Sequence, residues 1–186
     1  MIRQFVASLP ADEAAVWEDE VDIDLNPKIG PDWMLPGTQR RVVTPGQNHK
    51  AYLAGAMAAA TDRLIWVKGR RKNSDLFIAL LAKLLKIYPG RGRIHVILDN
   101  YVIHRSRRTR RWLSEHGQRI CLHFLPPYCP DDNRIERRVW RELHANVTRN
   151  HTCGELDELI GEAESYLRRR DRAARGRMRS ELRKAI

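Results

Sequence analysis

The segment Arg93 to Asp99 limits the fold more than any other part of the chain. Ile94, Val96, Ile97 and Leu98 form a nearly continuous apolar run that ends in a carboxylate. A strand this apolar needs cover on both faces, as in the middle of an α/β sheet. Its neighbours can supply that cover. Leu76, Phe77, Leu80, Leu81, Leu84 and Leu85 fall at helical spacing, which predicts a helix capped by Ser74 and stopped by Tyr88-Pro89-Gly90 near Ile87. A helix from Ser106 to His116 and a strand from Ile120 to Leu125 follow. Upstream, a strand of uncertain register is expected around Ala14 to Asp24, then a proline-punctuated loop from Asn26 to Gly37 and a short strand from Arg40 to Thr44. Lys50 to Met57 and Arg63 to Lys68 read as two strands joined by a turn at Thr61-Asp62. After the rigid turn Pro126-Pro127-Tyr128-Cys129-Pro130, a helix is expected from about Asp132 to Val147. Thr152-Cys153-Gly154-Glu155 has the pattern of a capping box opening a last amphipathic helix. Strands first, then alternating helix and strand, then helices, give an α/β fold with a mixed sheet. Residues 1–150 are expected to form one domain, with 151–186 a helix and Arg-rich tail packed on it or extending from it.

Charge is unevenly distributed. The chain has 34 basic and 23 acidic residues, a formal +11 over 186 residues. Residues 1–39 carry 8 acids and 2 bases, net −6, so residues 40–186 carry 15 acids and 32 bases, net +17. Of the bases 27 are Arg, whose planar fork matches phosphate. Such a body suits a polyanionic partner such as nucleic acid. The longest uncharged stretch in the apolar middle, Ala51 to Thr61, is 11 residues, too short for a membrane span of roughly 20. Without a long apolar region near Met1, a cytoplasmic location is expected. Cys121, Cys129 and Cys153 are odd in number and unevenly spaced, which argues against a disulfide framework.

Three carboxylates stand out. Asp99 ends the central strand at the carboxyl edge, where open α/β sheets bind ligands, although Asp99-Asn100 also suits a simple turn. Glu136 has Trp140 and Leu143 at i+4 and i+7, so a helix would place it on the inward face; it must then be ion-paired, protonated or metal-bound. Asp19 is one of five acids between Glu18 and Asp24, a costly cluster unless a cation offsets it or the strand is an exposed edge. Together they could hold Mg²⁺, which takes oxygen ligands. Two such ions would clamp the attacking and leaving oxygens of a phosphoryl displacement.

Asp99-Asn100-Tyr101-Val102-Ile103-His104-Arg105-Ser106 resembles the "DNxxxHxS" block of mariner-type DDE transposases, in their bacterial insertion-sequence branch. Leu125-Pro126-Pro127-Tyr128-Cys129-Pro130-Asp131-Asp132-Asn133-Arg134-Ile135-Glu136 resembles that family's "LPPYSPxLNPIE" block, and Trp140 follows as the family's Trp does. Thirty-six residues separate Asp99 and Glu136, close to the family separation. Asp19-Glu20 with Trp33-Met34-Leu35-Pro36-Gly37 looks like the first "DE" and "WxxxG" segment. Asp132 and Arg134 depart from the apolar residue and proline usual there.

The resemblance implies an RNase H-like mixed sheet with helices on both faces, and a triad of Asp19, Asp99 and Glu136 that binds two Mg²⁺ or Mn²⁺ ions. It implies cleavage of a phosphodiester at transposon ends and attack of the freed 3′-hydroxyl on target DNA. A slipped register would put Glu20 or Asp22 in place of Asp19. Full-length relatives begin with helix-turn-helix domains, so the expected partners are transposon-end and target DNA, a helix-turn-helix segment encoded separately or lost, and a second copy in a homodimer. His104, Arg105, Arg107, Arg108, Arg111 and Arg137 are the candidate DNA contacts. The tail Arg168 to Ile186, nine bases and two acids, could be a helix or an arm that orders on DNA.

Overall fold

The computed structural model describes residues 2–39, 41–90, 92–126 and 133–184; the side chains of residue 3, residue 179 and residues 181–184 lie outside that description. A short helix α1 (Ile2–Ala7) precedes the sheet. Strands β1 (Ala14–Asp24), β2 (Lys50–Ala58) and β3 (Leu64–Gly69) come next, then helix α2 (Ser74–Ile87), strand β4 (Ile94–Leu98), a 3₁₀ turn (Val102–Arg105), helix α3 (Arg107–His116) and strand β5 (Ile120–Phe124). The chain then winds through a π turn (Glu136–Trp140), one α turn α4 (Arg141–Leu143) and a second π turn (His144–Thr148) before the long helix α5 (Leu156–Lys184).

The sheet order is β3-β2-β1-β4-β5. β1 pairs antiparallel with β2 and parallel with β4, and β4 pairs parallel with β5. β4 is buried at all five positions, as its apolar run requires. On one face Val16, Ala54, Ala56, Val96 and Leu98 pack under the α2 residues Leu76, Phe77, Leu80, Leu81 and Leu84. On the other, Trp17, Val21, Ile23, Leu53 and Ile97 meet Val139, Trp140 and Leu143, with Leu159, Ala163 and Leu167 of α5. Each large aliphatic side chain taken fully from water contributes about 1.5–3 kcal/mol. The two faces therefore bind both helical layers to one sheet.

Several local expectations shift. Residues 41–44 are not a strand: both edges of the neighbouring β2 are taken, by β1 and β3, and the segment joins neither open edge of the sheet, at β3 or β5. Asn73, not Ser74, caps α2, accepting from the Leu76 N–H at 3.1 Å. The Thr152–Glu155 capping box is not formed; α5 begins at Leu156, and the Gly154 N–H donates to the Glu158 carboxylate at 3.2 Å. The Arg-rich tail continues α5 as helix to Lys184. Cys121 and Cys153 are free thiols; residues 127–132, and with them Cys129 and most of the proline turn, lie outside the described residues. Among the described residues no helix is long and apolar enough to cross a membrane.

Candidate active site

Strand parity divides the acids of β1. Asp19 lies between Trp17 and Val21, so it points to the face that carries the Glu136 helix. Glu18 and Glu20 point to the other face. Asp19 is half-buried and opens into a cleft of 390 Å³ whose lining includes Glu20 and Asp22 of the same strand and, from the other side, Glu136, Arg137, Trp140 and His144. Asp99, one step past β4, is half-exposed; β4 neighbours β1, so its carboxylate stands at the same carboxyl edge.

Two contacts bring the helix to Asp19. Asn133, 3% exposed, donates from Nδ2 to the Glu18 carbonyl at 2.9 Å, three residues before Glu136. Gly55 is the β2 partner of Asp19, and a Cβ there would fall 2.5 Å from Trp140 Cζ2. Only glycine lets the indole lie flat on the sheet. Glu136 itself is exposed, whereas an α-helix would have put it on the inward face with Trp140. The π turn accounts for the difference. The Arg141 N–H bonds to the Glu136 carbonyl, so Arg141 rather than Trp140 stands one turn above Glu136. Trp140 goes into the core while Glu136 stays at the cleft.

The electrostatics favour a cation here. Burial, reinforced by the charge of Glu20 and then by that of Glu136, pushes the Asp19 carboxyl up to about 8, although Lys72 works in the opposite direction. A carboxylate so disfavoured gains from a divalent ion, and the donors are all oxygen, as Mg²⁺ or Mn²⁺ prefers. Lys72 is held well charged despite burial by Glu20, Asp19 and Asp99, and lies 4.5 Å over the Tyr101 ring.

A second group lies behind the sheet. Glu18, Glu20 and His104 are all buried, and they form the one set of three candidate ligand atoms within 4.8 Å of one another among the described residues. Asp19, Asp99 and Glu136 are more widely spread. In the buried group His104 and Lys72 already answer the negative charge: His104 Nε2 is 3.2 Å from Glu20 Oε1 and 3.6 Å from Glu18 Oε2, and Lys72 Nζ is 3.5 Å from Glu20 Oε2. Burial alone would lower the His104 pKa, but hydrogen bonds to Asp99 and Glu20 outweigh it and raise the ring to about 9. Burial, then Glu20, Asp19 and Asp99, push the Glu18 carboxyl well above the usual range. The hydrogen bond from His104 lowers Asp99 against the opposing effect of burial.

The other candidate residues divide by exposure. His104 is 1% exposed with both ring nitrogens on carboxylates, which leaves no ring atom for a phosphate. Arg105 donates to Asn100 Oδ1 at 2.7 Å and lies 4.0 Å over the Phe124 ring. Arg107 is exposed, Arg108 pairs with Asp75, and Arg111 pairs with Glu115. Arg137 lines the cleft. Asp22 shares a hydrogen bond with Asp24, with Lys28 and Lys50 nearby; Glu20 and Asp22 line the cleft as well, while Asp19 is the acid whose strand parity matches Trp17 and Val21. Sequence reasoning gave no role to Gly55, Lys72 or Asn133. Asn133 stands inside the quoted proline block, which was its only signal.

A five-stranded mixed sheet with an acidic cleft at its carboxyl edge defines an RNase H-like nuclease core. The chain belongs to the DDE superfamily endonucleases, whose family model matches residues 14–160. It is 46% identical over 166 residues to the insertion element IS630 uncharacterized 39 kDa protein of Shigella sonnei, a match covering 89% of this chain and 48% of that protein. The chain thus spans about half the length of this curated relative. Among solved structures it resembles a pre-cleavage Mos1 transpososome (TM-score 0.63, 16% identity, 87% of this chain and 51% of that one). It also resembles the Mos1 mariner paired-end complex with Mn (TM-score 0.60, 16% identity, 87% and 52%) and the Mos1 strand transfer complex (TM-score 0.58, 14% identity, 94% and 54%). At these identities the likeness is one of fold.

Proposed function

We propose that this chain is the catalytic domain of an insertion-element transposase, which cleaves the phosphodiester at the element's ends and joins the freed 3′-hydroxyl to target DNA. The observation that carries the reading is Asp19 and Glu136 lining one cleft, with Asp99 on the adjacent strand end. Asp19, Asp99 and Glu136 would hold two Mg²⁺ or Mn²⁺ ions; when bound, these supply nucleophile activation and stabilisation of the leaving oxygen. The chain's own part is to place and orient. β1 and β4 fix two carboxylates on a rigid sheet, and the π turn holds the third at the rim. Lys72 stands among Glu20, Asp19 and Asp99 and limits their repulsion. Exposed Arg107 and the cleft-lining Arg137 are placed to meet DNA backbone, a contact that is salt-dependent and indifferent to sequence. Recognition of the element's ends falls to a helix-turn-helix segment outside residues 1–186, in keeping with a relative about twice as long, and the working form is a homodimer.

The test is strand transfer of a supplied 3′-hydroxyl end into plasmid, with and without that segment. Joined product that depends on Mg²⁺ or Mn²⁺ and disappears in Asp99→Asn is the expected result. Hydrolysis without joining would reduce the reading to a nuclease. Salt-sensitive DNA binding without any cleavage would reduce it to a DNA-binding remnant.

A further inference from the structure

His104 is sealed behind the sheet, yet it reaches the cleft through Asp99. Its Nδ1 lies 3.2 Å from Asp99 Oδ1 and 3.3 Å from the Asp99 carbonyl. The same Oδ1 accepts the Tyr101 N–H at 2.8 Å. One carboxylate oxygen therefore receives two donors, which fixes the rotamer and leaves Oδ2 outside both contacts. The ring itself cannot turn. Its Nε2 is held by Glu20 at 3.2 Å, with Glu18 at 3.6 Å, and its face packs on Phe77 with centroids 4.5 Å apart. Glu20 is braced in turn by Lys72. A chain of polar contacts thus runs from the back of β1, under the sheet, to the Asp99 carboxylate on the strand end beside Asp19.

We infer that His104 is a positioning residue for Asp99: held from behind by Glu20 and Glu18, it sets the Asp99 carboxylate in the orientation that presents Oδ2 to a divalent cation. The inference rests on the reading of Asp99 as a metal-facing carboxylate. A buried ion pair that only stabilises the fold would have no need to spend Nδ1 on a half-exposed carboxylate. Outer partners of this kind typically alter metal affinity by 10–100-fold when removed.

Two substitutions separate the halves of the ring. In His104→Asn the amide nitrogen stands near Nδ1 and can still donate to Asp99; in His104→Gln it stands near Nε2 and can still donate to Glu20. Mn²⁺ affinity is read by electron paramagnetic resonance of the free ion, in wild type and both variants, and again with Glu18→Gln added to relieve the buried acid. The expected result is near wild-type affinity for His104→Asn and a loss of about 10–100-fold for His104→Gln. Equal affinity in the two folded variants would overturn the inference. On the wild-type chain, the histidine ¹⁵N resonances should show His104 Nδ1 protonated and shifted by Mg²⁺, with no shift in Asp99→Asn. An unprotonated or unresponsive Nδ1 would overturn the inference even if neither variant folds. Asp99→Asn also tells the two claims apart. If it leaves Mn²⁺ affinity intact, the metal role of Asp99 fails and this inference with it. If it abolishes binding while His104→Gln does not, only the inference fails.

Discussion

Replacing Gly55 by alanine should separate the two halves of the cleft without touching a charged group. The new Cβ would lie 2.5 Å from Trp140 Cζ2, 2.6 Å from Cη2 and 3.3 Å from Ile135 Cδ1. Carbon atoms in contact prefer about 3.5–4.0 Å, so the indole must retreat by about 1 Å. Trp140 is 3% exposed and enclosed by the core, and its own helix carries Glu136, so the helix moves with it. Overpacking of this kind costs about 1–3 kcal/mol, which corresponds to a fall in melting temperature of about 2–4 °C per kcal/mol for a chain of this size. A 1 Å misplacement of a catalytic group can cost about 100-fold in rate. Denaturant unfolding and Mn²⁺-dependent cleavage of an end-bearing duplex would be measured for Gly55→Ala, Trp140→Leu and the double variant. The double variant should be more stable than the sum of the single effects by at least about 0.5 kcal/mol, as expected for side chains in contact. Strict additivity, or cleavage by Gly55→Ala at the parent rate, would refute the reasoning.

Other outcomes follow from the same geometry. Asn133→Ala strands the buried Glu18 carbonyl, so unfolding measurements should show a loss of about 1–3 kcal/mol, and cleavage should fall further than stability alone explains. The exposed pair Arg108–Asp75 should matter little: Asp75→Asn should shift stability by less than about 1 kcal/mol. Arg107→Ala should weaken binding alike on unrelated DNA sequences and reduce the salt slope by about 1. His95 Nδ1 and His123 Nε2 are 2.8 Å apart beneath the Phe5 ring of α1, with Glu13 on the far nitrogen of His95. Burial and then His95 hold His123 below its ordinary pKa. The unfolded chain therefore binds the extra proton more readily, and stability should be fully present above about pH 6.5 and fall as pH drops below it. Asp19 and His104, whose carboxyl and ring are raised to about 8 and about 9, titrate in the opposite sense in every variant, so the slope is read as a difference: in thermal melts from pH 8 to 5, wild type should lose stability relative to His123→Gln as pH falls, and a pH-independent difference would refute the assignment.

The fold was largely legible because its signals are local. The apolar run of β4 required cover on both faces, and the leucine spacing of α2 supplied one layer. The short strand expected around residues 41–44 was not legible, since whether a β-like run becomes a strand depends on a free neighbouring edge, which the chain order does not reveal. At the site, Asp99 and Glu136 announced themselves through motif spacing. The proposed preference for Asp19 over Glu20 or Asp22 draws on the faces of β1 in the folded sheet, because adjacent strand residues face opposite sides. The buried role of His104 was hidden for a related reason: the sequence shows a histidine five residues after an aspartate, while the acids that grip it lie 84 and 86 positions upstream. Glycine at position 55 has meaning only once an indole is known to lie upon it.

The π turn at Glu136 has a consequence for how this chain can vary in length. A π turn holds one residue more than the α turn that would replace it. Deleting a single residue between Glu136 and Trp140 would let the ladder relax to ordinary helix with Arg141 still one turn above Glu136, whereas each residue added to a helix advances the side-chain direction by about 100°. With Trp140, Leu143 and Val147 anchored in the core, a deletion would leave Glu136 at the cleft, whereas an insertion would turn Glu136 away from it. This short stretch should therefore tolerate changes of side chain, such as Arg137 or Arg138, and the loss of one residue better than the gain of one. The long exposed connection between β1 and β2 is placed to accept insertions and deletions more freely.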